Sequence, residues 1–340
     1  MAERRSSRLG LYLPFALLGF VAVLWTVWWF VVAGQAQARI DSAAVQMRRA
    51  GYQVGWSGRE VTGWPFRTYV RFRDLRVAAP SGHALAAPRF GAQAHTYALG
   101  KWVLAAPDGL TVTRGAKGEV RIDARAIRAS VAGLERSPPR LVVELLDARF
   151  AAAPGAEPFP LATAKSVDFH LRPKADAAGQ GEFLFRVIDG RGREAGVLDW
   201  VAGGGPFTSQ WEGTVAAADA FAGPSWATAV RGWSARGGAI TGLRGRFQAG
   251  DAVSEAQAAR LTVGPDGRLR GAADLVLTGG PAPLIAMGRV QGGNAAGAAA
   301  AGAAAAAQNA LGGTARVRLA FEGGRTRVGP LNLAPAPKVY

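Results

Sequence analysis

Two patterns of hydrophobic residues divide the chain. From Leu9 to Ala33 the sequence is uncharged and almost entirely apolar, whereas from Val54 onward short segments alternate polar and apolar residues between Gly, Pro and Asp-Gly breaks. An apolar run of 25 residues predicts a helix of about 37 Å, long enough to span a bilayer. Alternation with a period of two predicts strands. We therefore expect a β-rich α+β fold: an N-terminal transmembrane helix, then a large curved, mostly antiparallel sheet of repeated hairpin units with a few helices.

The charges that flank the apolar run predict its orientation. Arg4, Arg5 and Arg8 precede it, whereas only Arg39 follows closely. Aromatic residues typical of a membrane interface crowd its far end: Trp25, Trp28, Trp29 and Phe30. The positive-inside rule predicts a single-pass protein of the bacterial inner membrane, with a cytoplasmic N-terminus and a periplasmic main portion. The alternative is a cleaved signal peptide, because Ala-Gln-Ala lies shortly before Arg39, but the apolar run is long for one.

Short sequence patterns predict the remaining helices and two hairpins. Residues 40–52 predict a helix leaving the membrane and ending at Gly51. Pro-Asp-Gly at 265–267 and Gly323-Gly324 each separate two alternating runs, which predicts two hairpins. A further helix is expected within 217–238. Another is expected to start within 283–291, and the Gly/Ala-rich tract 292–313 is either a loosely packed helix or a linker.

The chain divides into three regions on this pattern. Residues 1–38 form the signal anchor or transmembrane helix. Residues 39–215 form a first β-rich exported region that includes the exit helix. Residues 216–340 form a second one that includes the Gly/Ala-rich tract.

A repeat is visible in the first exported region. Residues 69–80 ("YVRFRDLRVAAP") match 141–154 ("LVVELLDARFAAAP") with Asp74 over Asp147, 73 residues apart, and 85–89 match 161–165 with an offset of 76. Phe72 and Leu75 are three residues apart, so a regular strand cannot place both on one face. The second unit shows the same slip. A β-bulge or a tight jog near each Asp would restore the pattern.

Composition and charge limit the classes of partner that the chain is expected to bind. The chain has 340 residues, 40 Lys+Arg against 24 Asp+Glu, and a net charge of +16. The cations are mostly arginine and are scattered without a basic tract, which indicates a solvated surface, with anionic headgroups as an alternative; nucleic acid is not expected. Cysteine is absent, which excludes disulfides and thiol chemistry.

No catalytic constellation is recognisable. His83, His95 and His170 are the only histidines, and none lies at a spacing that would pair ligands on one element. We therefore expect no enzyme activity, no cofactor and no metal site. One cluster stands out as a core or an apolar-ligand site: Trp56, Trp64, Phe66, Tyr69 and Phe72.

The order of segments resembles a known family. It runs from the anchor through "VTGWPF" and "VRFRDLRVAAP" to "GWSARGGAITGLRGRF", "LTVGPDGRLRGAADLVL" and "FEGGRTRVGPLNLAPAPKVY", and is similar to the bacterial envelope proteins of domain-of-unknown-function family 2125. That family has no assigned activity. The strand–Asp–strand–Pro units also resemble, more distantly, AsmA-like proteins, whose long sheets carry an apolar trough for phospholipid.

Three functions follow as alternatives. The chain is expected to bind or transfer lipid or to support envelope assembly. Alternatively, it is a non-enzymatic scaffold that binds a protein partner through its sheet edges. An envelope hydrolase is the least favoured.

Overall fold

The computed structural model describes residues 9–223, 225–278 and 314–340. These residues form three α-helices and one antiparallel sheet of 18 strands, which confirms the predicted fold class. The helices are α1 (Leu9–Arg49), α2 (Val197–Val201) and α3 (Trp226–Ala235). The strands are β1 (Gln53–Gly55), β2 (Gly58–Thr62), β3 (Arg67–Ala78), β4 (His83–His95), β5 (Ala98–Ala105), β6 (Leu110–Arg114), β7 (Glu119–Asp123), β8 (Ala126–Ala132), β9 (Arg140–Ala152), β10 (Leu161–Pro173), β11 (Gly181–Gly192), β12 (Phe207–Ala216), β13 (Ala239–Ala249), β14 (Ala252–Val263), β15 (Leu269–Thr278), β16 (Thr314–Glu322), β17 (Arg325–Val328) and β18 (Leu331–Pro335). The helix expected to start within 283–291 and the tract 292–313 lie outside the described residues.

The predicted anchor and the predicted exit helix form one continuous helix. α1 has 41 residues, and it is the one helix in the described ranges that is long and apolar enough to cross a membrane. The linking segment, residues 34–38, is rich in Ala and Gln, which favour helix, so nothing interrupts the backbone there. The helix ends at Arg49, and Gly51, the predicted stop signal, follows with a φ of +86°, the left-handed conformation common just after a helix.

The sheet grows mainly by pairing of consecutive strands. From β9 to β18 each strand pairs with the next along the chain. Before β9, short strands lie end to end along long ones: β1 and β2 along β3, β5 and β6 along β4, and β7 and β8 along β9. The predicted boundary between residues 215 and 216 falls at the end of β12, which pairs with β13.

The change of face within each repeat unit occurs at an aspartate whose backbone has a left-handed conformation. We call this local change of strand direction a jog. Asp74 and Asp147 both have a φ of +51°, a region that Asp tolerates better than most residues. No residue is inserted, because Arg73 pairs with Arg89 and Leu75 with Ala87 in unbroken register. Both strands change face together, so Phe72 is buried and Leu75 half-buried on the same side.

The two units also share the partner of the jog. Ser57, in the gap between β1 and β2, donates from its N–H to Arg73 O (2.9 Å) and from Oγ to Asp74 Oδ2 (2.6 Å). Arg125, in the gap between β7 and β8, donates from its N–H to Leu146 O (2.9 Å) and from Nε to Asp147 Oδ2 (2.6 Å). This common geometry supports a structural repeat.

The return strands of the repeat match one residue further along than the sequence comparison indicated. Leu75 pairs with Ala87, and its equivalent Ala148 pairs with Ala164. The structural offset of the return strand is therefore 77 and not 76. The identities Leu85/Leu161 and Ala86/Ala162 favour the offset of 76 in the sequence, but the pairing between the strands follows the jog.

The remaining local predictions are confirmed. β14 and β15 form a hairpin across Pro-Asp-Gly, and β16 and β17 form one across Gly323-Gly324. The helix expected within 217–238 is α3, capped by Ser225, whose Oγ accepts from Thr228 N–H (3.2 Å). The short helix α2 was not predicted, because its five residues carry too little periodic signal.

Candidate ligand-binding face

One face of the sheet is apolar across thirteen consecutive strand partners. In an antiparallel sheet, directly paired residues place their side chains on the same face. Following the pairs from β2 to β16 gives a continuous line, which we call the apolar row. Its members are Val61, Val70, Ala92, Leu104, Ala129, Val143, Phe169, Phe185, Trp211, Gly245, Ala256, Leu275 and Val317. No side chain in the row carries a charge, and the one polar side-chain group in it is the indole N–H of Trp211.

The neighbouring row, on the opposite face, is charged. Shifting each pair by one residue gives Glu60, Arg71, Gly91, Ala105, Arg128, Glu144, Asp168, Arg186, Gln210, Arg246, Glu255, Val276 and Arg316. Cross-strand ion pairs join its members, including Arg186–Asp168 (3.1 Å) and Arg246–Glu255 (2.7 Å). Five arginines therefore lie in this row, on the face opposite the apolar row: Arg71, Arg128, Arg186, Arg246 and Arg316.

A large aromatic ring lies flat on the apolar face where a glycine leaves room. A Cβ added to Gly245 would come within 2.3 Å of the Trp211 ring. The Trp211 indole N–H donates to Ser209 Oγ (3.0 Å), which satisfies its polar end on the same face. The result is an uninterrupted apolar surface at this part of the row.

The helices within the described ranges pack against three parts of this face. α1 packs against β1 and β3, and beside it Val70 is fully buried and Phe72 is 8% exposed. Leu198 of α2 packs against a cluster around Phe207, and α3 packs with Val263 near the far end of the sheet. Between these helices, in β9 to β12, members of the apolar row remain half-exposed, and Phe185 is 36% exposed.

The five aromatic residues singled out in the sequence lie in three places. The Trp56 and Phe72 rings meet edge to face at 5.4 Å on the apolar side. Tyr69 points to the opposite face, where the Arg71 guanidinium lies 4.9 Å from its ring centroid. Trp64 and Phe66 lie in the β2–β3 loop and are 57% and 63% exposed. The group is therefore not one contiguous cluster.

The charged face carries an open depression of about 710 Å³. It is lined in part by His170, Glu182 and Glu212. Arg172 and Arg244 bind these two carboxylates at 2.8 and 3.8 Å. His83 and His95 lie elsewhere, beside Ser81 and Tyr97. Within the described ranges, no three His, Asp or Glu side chains are grouped closely enough to hold a metal ion.

Two further ion pairs join neighbouring segments of the sheet. The Asp108 carboxylate accepts from Arg89, and this hydrogen bond holds the pKa of Asp108 below its usual range and raises that of Arg89. Lys165 lies 3.8 Å from Asp189, which has a φ of +47°. Arg89, Lys165 and Asp189 are exposed and Asp108 is half-exposed, so the effect of these pairs on stability is small.

The sequence contained the signal for the apolar row, but only in part. Alternation identifies which residues of one strand share a face, and the slip near Asp74 and Asp147 explains why the pattern changes within a strand. Alternation does not give the register between strands. Partners such as Leu104 and Ala129, 25 positions apart, therefore could not be matched without the structure.

Comparison with known proteins identifies the family. No curated protein and no solved structure is significantly similar to this sequence. A family model described as "uncharacterized protein conserved in bacteria" matches residues 29–337, which include the jogs, the apolar row and both predicted hairpins. The chain therefore belongs to the DUF2125 family of bacterial proteins.

Proposed function

We propose that this protein is a single-pass inner-membrane protein with a cytoplasmic N-terminus, and that its periplasmic sheet binds or transfers lipid along the apolar row. It would support assembly of the envelope and would not catalyse a reaction. The observation that carries the proposal is the run of thirteen apolar partners on one face opposite a charged row.

The dimensions of the row favour an elongated apolar ligand. Strands in a sheet are separated by about 4.8 Å, so thirteen partners extend over roughly 58 Å. The stretch in β9 to β12 is half-exposed, and soluble monomeric proteins rarely leave large apolar patches exposed unless a ligand or a partner covers them. A chain-like lipid fits an open line of apolar side chains better than a compact polar molecule does.

Contacts of α1 support an uncleaved anchor. Val32 and Ala33 are 2% and 7% exposed, and the Trp29 indole N–H donates to Arg67 O (2.8 Å). Cleavage near residue 38 would remove all three contacts from the sheet. Retention of the helix keeps the buried surface of β3 covered.

Site-specific photo-crosslinking in cells tests the proposal. A photoreactive phenylalanine analogue replaces Phe185 on the apolar face, and Leu184 in the matched control. The two positions are adjacent in sequence and lie on opposite faces of β11. Phe185 is 36% exposed and Leu184 is half-buried. We expect phospholipid adducts at Phe185 and none at Leu184, detected by mass spectrometry of the purified full-length protein.

A second pair of positions, in the neighbouring strand β12, tests whether the result at Phe185 holds elsewhere on the same face. Trp211 lies on the apolar face and Gln210 on the charged face of β12. Lipid at Trp211 but not at Gln210 supports the proposal. Equal labelling of both faces, or no lipid at either apolar position, contradicts it. One dominant protein adduct at Phe185 would instead support the scaffold alternative.

A further inference from the structure

The apolar helix holds one edge of the sheet at a defined level. Trp25 Nε1–H donates to Pro65 O (2.8 Å), and Trp29 Nε1–H donates to Arg67 O (2.8 Å). Trp64 Nε1–H donates to Thr26 Oγ1 (3.3 Å). The β2–β3 loop is therefore fixed beside residues 25–29 of α1.

That level lies inside the apolar run of α1. Thr26 precedes Ala33, the last residue of the run, by seven positions, or about 10 Å along a helix. On the side of α1 away from the sheet, Phe30 and Val31 are 65% and 45% exposed. Apolar side chains of the helix thus continue past the point where the loop touches it.

Exposed apolar side chains are concentrated on this edge. Outside α1, the four most exposed large apolar side chains of the described residues are Tyr97 (68%), Phe66 (63%), Leu134 (59%) and Trp64 (57%). They lie in three adjoining loops, because Thr96 N–H donates to Phe66 O (3.1 Å) and Gly133 N–H donates to Gly100 O (3.2 Å). We call these four residues the aromatic edge.

Cationic side chains lie just behind the edge. Arg67 and Lys101 are exposed and line a small groove with His95. Aromatic rings at the membrane surface with basic side chains behind them are typical of residues seated among lipid headgroups.

We propose that the aromatic edge is inserted into the headgroup layer of the bilayer that α1 spans, with Arg67 and Lys101 directed to lipid phosphates. The protein would then contact the membrane at two places, through α1 and through the three loops of the aromatic edge. This inference rests on the uncleaved anchor and does not require lipid to bind along the apolar row.

Depth-dependent quenching of fluorescence tests the insertion. The chain has no cysteine, so Tyr97→Cys and Leu134→Cys each give one labelling site for a polarity-sensitive dye. The full-length variants are reconstituted in vesicles of phosphatidylethanolamine and phosphatidylglycerol, with or without lipids that carry a spin label near the headgroup. We expect blue-shifted emission and loss of about half the fluorescence at both positions.

Ser81→Cys is the control. Ser81 is exposed in the β3–β4 turn, separated from the aromatic edge by the 12 residues of β3, or about 40 Å. Quenching at positions 97 and 134 no greater than at position 81 would overturn the proposal. An intact mass that lacks residues 1–38 would show that the anchor is cleaved and would also overturn it. If lipid crosslinks at Phe185 are absent while the edge is quenched, only the lipid-binding function fails.

Discussion

The same apolar row is a protein core at one end of the sheet and an open surface in the middle. Val70 in β3 lies beside α1 and is fully buried, whereas Val143 in β9 and Phe185 in β11 are partly exposed. The residue types do not distinguish these two regions. What differs among the described residues is burial: α1 packs against β3, so the same type of side chain is core there and partly exposed surface in β9 to β12.

One substitution placed in both regions gives the largest expected contrast. Val70→Asp buries a charge without a partner and should lower the free energy of unfolding by about 3 kcal/mol or more. Val143→Asp leaves the carboxylate in contact with water and should cost about 1 kcal/mol. Urea unfolding of the full-length protein, followed by tryptophan fluorescence, measures both. Equal losses at the two positions would show that the middle of the row is also covered.

The sequence predicted the elements and their local geometry better than their assembly. The apolar run, Pro-Asp-Gly at 265–267 and Gly323-Gly324 each act through neighbouring residues, so the long apolar helix and both hairpins could be inferred. The placement of β6 along β4, end to end with β5, depends on pairs distant in sequence, such as Ala84 with Thr113. The candidate site depends on that assembly, since the apolar row exists only once the register of every strand is fixed.

The aromatic residues show a second limit. Trp56, Trp64, Phe66, Tyr69 and Phe72 are close in sequence, and their proximity suggested one cluster. The jog, the β2–β3 loop and the alternation of β3 separate them in space. By contrast, Trp64 and Phe66 share the aromatic edge with Tyr97 and Leu134, which sequence proximity could not associate with them.

Changes at a jog should have an intermediate effect. Asp147 has a φ of +51°, and a β-branched side chain there is disfavoured by about 1–2 kcal/mol. Asp147→Val should therefore lower the free energy of unfolding by about that amount, whereas Asp147→Asn should change it by only a few tenths of a kcal/mol, because Asn tolerates this conformation. The ion pair with Arg125 is exposed and adds little.

The equivalent change in the covered region sharpens the comparison. Asp74 has the same φ and an analogous hydrogen bond from Ser57. Asp74→Val should cost as much as Asp147→Val if the two jogs are equivalent units. Circular dichroism and urea unfolding measure both variants. Similar effects of Val and Asn at either position would contradict the role assigned to the left-handed backbone.

The smallest expected effect concerns the attachment of the covering helix. Asp41 of α1 accepts from Arg59 of β2 (2.6 Å), and this hydrogen bond, with the charge of Arg59, holds the pKa of Asp41 below its usual range. A carboxyl whose pKa is lowered by folding stabilises the protein above its unfolded-state pKa of about 4, and this contribution is lost as the pH falls through the folded-state value. Asp41→Asn should therefore lower the melting temperature slightly at pH 7 and have no effect at strongly acidic pH. Asp251→Asn, in the exposed β13–β14 turn, is the control and should show no such pH-dependent difference. If Asp41→Asn behaves like this control at every pH, the ion pair does not help to hold α1 over β3, and the attachment depends on the buried Val32 and Ala33 and on the hydrogen bonds of Trp25 and Trp29.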